Sequence, residues 1–320
     1  MHTFKISPKE HKIRLDHYLT ARFPQWSRSH LKRLIDDGFV LVNGAHPKAG
    51  YPLKGGDDLQ VLSRAPEIPK AVAQDIPLNI LYEDDHLLVL NKPAGLVMHP
   101  AAGNWQGTLV NALLHHLGTF TSGEALRPGI VHRLDKGTSG VVVVSKRDPI
   151  HQSLSGQFKH RKVKKIYHAL VFRSFQSLAG VMEKPIGRDR KHRLKFSSQA
   201  SKIREATTYF KVMKNFPDLA LLELTPHTGR THQLRVHLSE AKHPIVGDDL
   251  YGARGYLPTI HDETVRERAA NMARPALHAY QLSFTHPVTA EFLTFQAPWP
   301  DDFRQLVVPL FKDGEIPLTL

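Results

Sequence analysis

The stretch from Gly129 to Val144 constrains the fold of this 320-residue chain more than any other. It reads GIVHRLDKGTSGVVVV and places one carboxylate, Asp135, in a loop directly before four consecutive valines. A run of β-branched residues is typical of a strand that is buried on both faces. Glycines at positions 137 and 140 allow a sharp turn or a close approach of the backbone to a ligand. We therefore predict a loop that holds Asp135 at the edge of a rigid sheet.

Two cationic residues, Arg133 and Lys136, flank Asp135. Cations beside a carboxylate stabilise its ionised form, in which it can act as a nucleophile or a base. An aspartate in a turn is also common as a capping residue that pairs with a neighbouring arginine. The residues alone leave both interpretations open.

The composition indicates a polyanionic partner. Lysine and arginine total 43 against 30 acidic residues, which gives a net charge of +13. Such an excess suits nucleic acid or an acidic membrane surface.

We find no apolar run of the about 18 residues that a spanning helix needs and no signal peptide, so we expect a cytoplasmic protein without a membrane partner. The absence of cysteine excludes disulfides, thiolate nucleophiles and cysteine-based zinc sites.

Residues 1–62 are predicted to form a separate domain, joined by a linker at 63–75 to a larger domain at 76–320. Helical spacing covers 14–23 and 28–37, with Ser27 as a cap for the second helix. Strands are expected at 39–42 and 59–62, and Asn43-Gly44 is a strong hairpin-turn signal. The second helix carries four basic side chains that suggest a phosphate-binding face, namely Arg28, His30, Lys32 and Arg33. A run of charge is more often a solvated helix face.

The larger domain mixes strands and helices without a regular βαβ repeat. Strands are predicted at 80–82, 87–90, 141–145, 166–172, 206–213 and 219–225, and helices at 109–117 and from about Thr231. The pattern favours an α+β fold with a mostly antiparallel sheet flanked by helices.

Histidines recur every five residues, at 227, 232 and 237. On a helix this spacing turns successive rings by about 140°, so we predict no metal site.

The segment from Gly129 to Gly140 resembles the catalytic loop of pseudouridine synthases, specifically the group that modifies large-subunit ribosomal RNA. Four further blocks match the family in order, at 91–95 (NKPAG), 165–171 (KIYHALV), 228–238 (TGRTHQLRVHL) and 276–279 (ALHA). The resemblance covers roughly residues 76 to 300. The first domain, with its helix, basic helix and Val-Asn-Gly strand, is similar to the RNA-binding module named after ribosomal protein S4.

The resemblance implies roles for individual residues. Asp135 would be the indispensable catalytic residue, and Tyr167, which the pattern alone makes a core aromatic, would stack on the target base. Arg235 would pair with Asp135, although the register also allows Arg230. Leu234 would help to exclude water. Arg133 would fill the space that the flipped nucleotide leaves. Two basic runs, at 158–165 and 188–195, would contact RNA, with affinity that falls steeply with salt.

The sequence therefore predicts a monomeric, cofactor-independent RNA pseudouridine synthase that converts specific uridines of 23S ribosomal RNA. A synthase directed at transfer RNA and a non-catalytic factor in ribosome assembly are alternatives. A nucleoside or glycoside hydrolase is opposed by the positive charge and by the lack of a second acid in the loop, since glycosidases use two carboxylates.

Overall fold

The computed structural model describes residues 1–24, 26, 28–62, 71–100, 104–118, 128–192 and 194–311, except the side chains of residues 29, 30 and 33. The chain divides into two compact units, Met1–Ile68 and Pro69–Leu320. The predicted cap Ser27 and most of the predicted linker lie outside the described residues. No helix among the described residues combines the length and apolar character that a membrane span requires.

The first unit packs two helices against a small antiparallel sheet. Its elements are β1 (His2–Lys5), α1 (Leu15–Arg22), α2 (Arg28–Asp36), β2 (Val40–Val42) and β3 (Asp58–Val61). The strand order is β1-β3-β2, and the core is formed by apolar side chains of both helices and all three strands. Both predicted helices and the two predicted strands are confirmed, whereas β1 was not predicted.

The Asn43-Gly44 turn is present, but the strand that pairs with β2 is not the segment directly after the turn, as it would be in a simple hairpin. Both residues have positive φ, 52° and 77°, as a type I′ turn requires. Val42 and Ala45 exchange backbone hydrogen bonds across the turn, at 2.9 and 3.0 Å. The ladder along β2 is instead made with β3. The side chain of Asn43 helps to hold this arrangement, because it donates to Asp57 and accepts from the backbone of Asp58.

The second unit is built on a nine-stranded sheet. In chain order its strands are β4 (Ile80–Glu83), β5 (Leu87–Lys92), β6 (Ser139–Ser145), β7 (Lys164–Phe172), β8 (Ala179–Glu183), β12 (Thr207–Asn215), β13 (Leu219–Pro226), β14 (Leu277–Thr285) and β15 (Phe292–Gln296). A second sheet of three short strands comprises β9 (Ile186–Arg188), β10 (Phe196–Ser197) and β11 (Ile203–Arg204). The helices are α3 (Leu109–Leu117), α4 (Asp148–Lys159), α5 (Gln233–Glu240), α6 (Glu263–Asn271) and α7 (Asp301–Val307).

The large sheet is antiparallel throughout except for one pair. Its order is β4-β5-β6-β14-β7-β13-β12-β8, with β15 alongside β14, and only β6 and β14 run parallel. The α+β class and the mostly antiparallel sheet are confirmed. The predicted strands are all present, and α3 has its predicted bounds. Helix α5 begins at Gln233, two residues after the predicted start.

The valine strand β6 is buried along its whole length, as predicted. Its parallel pairing with β14 depends on Gly140, which pairs with Ala279 and has a φ of +117°. A Cβ at Gly140 would lie 2.2 Å from the carbonyl oxygen of Ala279, so only glycine fits. The close approach that the glycine allows is therefore to a neighbouring strand, not to a ligand.

Replacing Gly140 with alanine is expected to destabilise the protein by about 3 kcal/mol or more, because backbone strain and a steric clash act together. The measurement is the shift of the urea unfolding midpoint followed by circular dichroism. Gly156→Ala on α4 is the matched control, since a Cβ there meets no atom within 4 Å and alanine favours a helix. An equal, small effect of both substitutions would contradict the role given to Gly140.

Candidate active site

Asp135 lies in a turn whose backbone is held by two amides and one arginine. The amide of Thr138 donates to the carbonyl of Asp135 at 3.0 Å, and the amide of Gly95 donates to Lys136 O at 2.8 Å. Arg274 Nη1 donates to Gly137 O at 3.2 Å. These three hydrogen bonds hold the backbone carbonyls from Asp135 to Gly137 in the loop before β6.

The loop opens into a basic cleft of about 610 Å³. Its walls come from residues 130–135, the region from α4 to β7, and residues 226–235. Six cationic side chains line it, namely Arg133, Lys159, Arg161, Lys165, Arg230 and Arg235. Among the described residues that line the cleft, Asp135 is the one acidic side chain. A polyanion is the ligand that such a charge distribution favours.

Arg235, not Arg230, is the arginine that contacts Asp135. Arg235 Nη1 lies 3.4 Å from Asp135 Oδ2, whereas Arg230 Nε donates to the backbone carbonyl of Glu205 at 3.1 Å. The two-pronged bond of the Arg235 guanidinium goes elsewhere, to Asp248, with distances of 2.6 and 2.8 Å. The expected pairing of Arg235 with Asp135 is therefore a single contact. The guanidinium of Arg235 is held by a second carboxylate, that of Asp248.

The Arg235–Asp248 pair is buried. Arg235 is 8% exposed and Asp248 1%. Burial opposes the charge of Arg235, but the hydrogen bonds and negative charge of Asp248 outweigh it, so the pKa of Arg235 is raised above its ordinary value. Arg235 therefore stays charged, and Asp248 holds its guanidinium beside Asp135.

Tyr167 lies on β7 and lines the cleft while also packing against the apolar core. Burial, and then the charge of Asp135, raise the pKa of Tyr167 above its ordinary value, so the hydroxyl stays protonated. The core position expected from the pattern and the cleft position expected from the resemblance are thus both observed. Leu134 and Leu234 form buried apolar walls of the same cleft, and Arg133 is exposed there.

His132 connects the loop to β6. Its Nε2 accepts a hydrogen bond from the amide of Val143 at 3.0 Å, and its ring stacks on Phe158 with centroids 4.6 Å apart. Burial, assisted by the charge of Lys165, lowers the pKa of His132 to about 3. A neutral ring is what an Nε2 acceptor requires, so we assign His132 to holding the loop in position.

The three regularly spaced histidines have separate partners. His227 Nε2 lies 2.8 Å from Arg161, and His237 contacts Thr208 and the carbonyl of Lys184. His232 lies between Tyr251 and Asp135. Within the described ranges, no three histidine or acidic side chains form a cluster that could hold a metal ion.

The predicted RNA-binding side chains of the first unit are partly described. Arg28 is exposed and lies 3.0 Å from His17 Nε2 and 3.7 Å from Asp16. Lys32 is also exposed and lies 3.9 Å from Asp36. The side chains of His30 and Arg33 lie outside the described residues, as does Arg193 in the second basic run.

Among the residues of the site that the sequence patterns did not identify are Asp248, Tyr251 and Lys92. The first two lie in the segment Gly247 to Gly252, where an acid and an aromatic stand between two glycines of positive φ. These two glycines were the available signal in the sequence. Nothing in the local sequence indicated that the segment packs against α5. Lys92 lies in the matching block at 91–95, but no role was predicted for it.

Lys92 is a buried amine next to the loop that holds Asp135. It is 1% exposed, and its Nζ donates to the carbonyls of Pro93 and Leu96, at 2.8 and 2.9 Å. A longer contact of 3.5 Å reaches Lys136 O. Burial, followed by the charge of Arg274, lowers the pKa of Lys92 to about 7. Lys92 therefore joins the strand β5 to the backbone beside Asp135.

The lowered pKa makes stability depend on pH. Between about pH 7 and 10.5 the unfolded chain keeps a proton on Lys92 that the folded protein loses, so this group stabilises the fold increasingly as pH rises. Below pH 7 both states hold the proton and the dependence ends. Urea unfolding at pH 6.5 to 9.5 should show wild type gaining stability relative to Lys92→Met. Parallel curves for the two proteins would contradict this.

Comparison with known proteins identifies the family. The model of the RNA pseudouridylate synthase family matches residues 86–240, and that of the S4 domain matches residues 13–59. Ribosomal large subunit pseudouridine synthase D of Neisseria meningitidis is 44% identical over 309 residues, which cover 96% of this chain and 81% of that protein. The protein of the same name from Nitrosomonas europaea is 41% identical over 296 residues, covering 92% of this chain and 83% of that protein.

A solved structure agrees with the sequence comparison. Human RNA pseudouridylate synthase domain-containing protein 1 superposes with a TM-score of 0.57 at 26% identity, over 74% of this chain and 89% of that one. The two resemblances seen in the sequence are thus confirmed. The chain, with its S4 domain, belongs to the RNA pseudouridine synthase family and is an isomerase that acts on RNA.

Proposed function

We propose that this enzyme converts specific uridines of large-subunit (23S) ribosomal RNA to pseudouridine, with Asp135 as its catalytic group. The observation that carries the proposal is the Asp135 carboxylate, the one acidic side chain among the described residues that line the basic cleft, with Arg235 Nη1 3.4 Å away and Tyr167 in the same lining. The names of the relatives from Neisseria meningitidis and Nitrosomonas europaea support ribosomal RNA as the substrate.

The reaction sets what the cleft has to supply. The bond between uracil N1 and the sugar carbon breaks, a bond from uracil C5 to the same carbon forms, C5 loses its proton, and N1 gains one. No electron is gained or lost overall. One ionised carboxylate can initiate this, either as a nucleophile or as the base that removes a sugar proton. Asp135 suits either role. Its contacts with Arg235 and His232 are both made through Oδ2 in the described structure, so the other oxygen, Oδ1, can react.

The target uridine has to leave its stack before it can reach Asp135. Extruding a base costs a few kcal/mol, least in loops that are already unpaired. We propose that the flipped base stacks on Tyr167 and that Leu134 and Leu234 exclude water around it. Arg133, exposed beside the loop, would occupy the vacated space. The protonated hydroxyl of Tyr167 adds no negative charge beside the carboxylate.

The first domain is proposed to bind RNA through α2. We propose the division made from the sequence, with residues 1–62 binding RNA, 63–75 as linker and 76–320 carrying out the reaction. Arg28 and Lys32, both exposed, are the described side chains that would contact phosphate, together with His30 and Arg33. A monomeric, cytoplasmic enzyme without a cofactor stays a prediction.

Site mapping tests the proposal. Wild-type protein is incubated with transcribed large-subunit rRNA, small-subunit rRNA and transfer RNA, and pseudouridine is mapped by carbodiimide-dependent reverse-transcription stops. We expect stops at a few uridines of the large-subunit RNA alone. Stops only in transfer RNA would establish the alternative substrate. RNA binding without any modification would favour the assembly-factor alternative, and release of uracil would favour a hydrolase.

A further inference from the structure

His232 has a left-handed backbone conformation, which is uncommon for a residue other than glycine. It is the N-cap of α5, with φ 57° and ψ 19°, in the left-handed region. A non-glycine residue held there is strained, and such residues cluster at functional sites. The ring of His232 lies between two groups of the cleft, with Nδ1 2.8 Å from Tyr251 Oη and Nε2 3.8 Å from Asp135 Oδ2.

The hydroxyl of Tyr251 is placed to donate its proton to His232 Nδ1. The Tyr251 hydroxyl oxygen accepts the amide of Phe196 at 2.9 Å, so its own proton is available for His232 Nδ1. Burial raises the pKa of Tyr251 to about 12, which keeps that proton in place. A neutral imidazole that accepts at Nδ1 has its hydrogen on Nε2.

The surroundings of His232 favour the neutral ring. Burial lowers its pKa, although the charges of Asp135 and Asp248 act in the opposite direction, and Arg235 adds to the lowering. The neutral Nε2–H tautomer therefore directs a donor towards the carboxylate. Arg235 contacts the same oxygen, Oδ2.

We propose that His232 is a positioning residue that donates Nε2–H to Asp135 Oδ2, in a tautomer that Tyr251 fixes. Two donors on one oxygen hold the carboxylate plane and leave Oδ1 to react. The separation of 3.8 Å has to shorten when RNA binds, as catalytic hydrogen bonds commonly do. The proposal rests on the proposed role of Asp135.

The tautomer can be observed without an activity assay. In full-length protein labelled with ¹⁵N-histidine, the His232 signals are identified by their loss in His232→Gln, and proton–nitrogen correlations report which nitrogen is protonated. We expect a bare Nδ1 and a protonated Nε2 at neutral pH in wild type, and a mixture of tautomers in Tyr251→Phe. A protonated Nδ1 in wild type would overturn the proposal.

Kinetics test the consequence for catalysis. His232→Gly removes the ring at no backbone cost, since glycine adopts positive φ freely. We expect kcat to fall about tenfold to a hundredfold with KM little changed, the range for loss of a hydrogen bond to a charged group. His232→Gln, which keeps an N–H donor, should recover part of the loss.

The outcomes separate this proposal from the proposed function. Wild-type kcat in His232→Gly would overturn the role of His232 alone and leave the role of Asp135 intact. An inactive wild type on every RNA would overturn the proposed function, and the NMR result would still report the tautomer. A matched thermal unfolding midpoint for the variants excludes loss of folded protein as the cause.

Discussion

Asp135→Asn is expected to abolish pseudouridine formation, with a fall in rate of at least about 10⁴-fold, because the neutral amide can neither attack carbon nor remove a proton. The substitution keeps the shape of the side chain. It also leaves Arg235 paired, since Asp248 supplies the two short bonds to the guanidinium. The fold should therefore change in stability by about 1 kcal/mol or less.

The measurement is single-turnover modification of large-subunit rRNA, with RNA affinity determined by filter binding in parallel. Asp135→Ala is the companion variant, which removes the polar group altogether. Both variants should bind RNA as well as wild type or better, because a negative charge facing phosphate has been removed. Full modification by either variant would show that another group carries the reaction.

Asp248→Ala is expected to destabilise the protein by about 3–5 kcal/mol, the cost of leaving one partner of a buried ion pair without the other. Arg235 is 8% exposed, so water cannot replace the missing carboxylate fully. The freed guanidinium can then shift towards Asp135, 3.4 Å away, which offsets part of this cost but forms a two-pronged bond with that carboxylate. We expect activity to fall as well, because that bond would occupy both oxygens of the carboxylate.

A double variant separates the two effects. Replacing Arg235 with methionine and Asp248 with leucine removes both charges, and apolar pairs of similar volume commonly restore the stability of a buried ion pair. We expect stability near that of wild type but little activity, since Asp135 has lost its contact with Arg235. Urea unfolding gives the stability, and the single-turnover assay gives the rate. A single Asp248→Ala variant as stable as wild type would contradict the buried-pair argument.

Local patterns predicted the fold class and six strands of the large sheet, but not β8, β14, β15, α6 or α7. Helical spacing placed α3, and the valine run placed β6, because burial on one or both faces leaves a direct mark on sequence. Helix α4 was missed, since DPIHQSLSGQFK contains only three large apolar residues and buries only Ile150 and Leu154. The parallel β6–β14 pair could not be foreseen, because it joins segments about 140 residues apart through one glycine.

The sequence predicted the site residues that lie within a single motif. Asp135 and Tyr167 were identified from the blocks that hold them, and the structure brings both to one cleft. The partner of Arg235 was missed, since Asp248 lies beyond the matching block and meets α5 only after folding. The position of the His232 ring depends on a left-handed backbone conformation, which histidine adopts more readily than most residues but which the sequence does not mark.

Tritium release from the uracil ring tests the central claim most directly. Large-subunit rRNA is transcribed with [5-³H]uridine, and isomerisation has to exchange the hydrogen at C5 for the bond to the sugar. Wild-type enzyme should release tritium in proportion to the uridines mapped, and Asp135→Asn should release none at equal RNA occupancy. Tight binding of this RNA by wild type without tritium release would contradict the account, as would release by the Asp135→Asn variant.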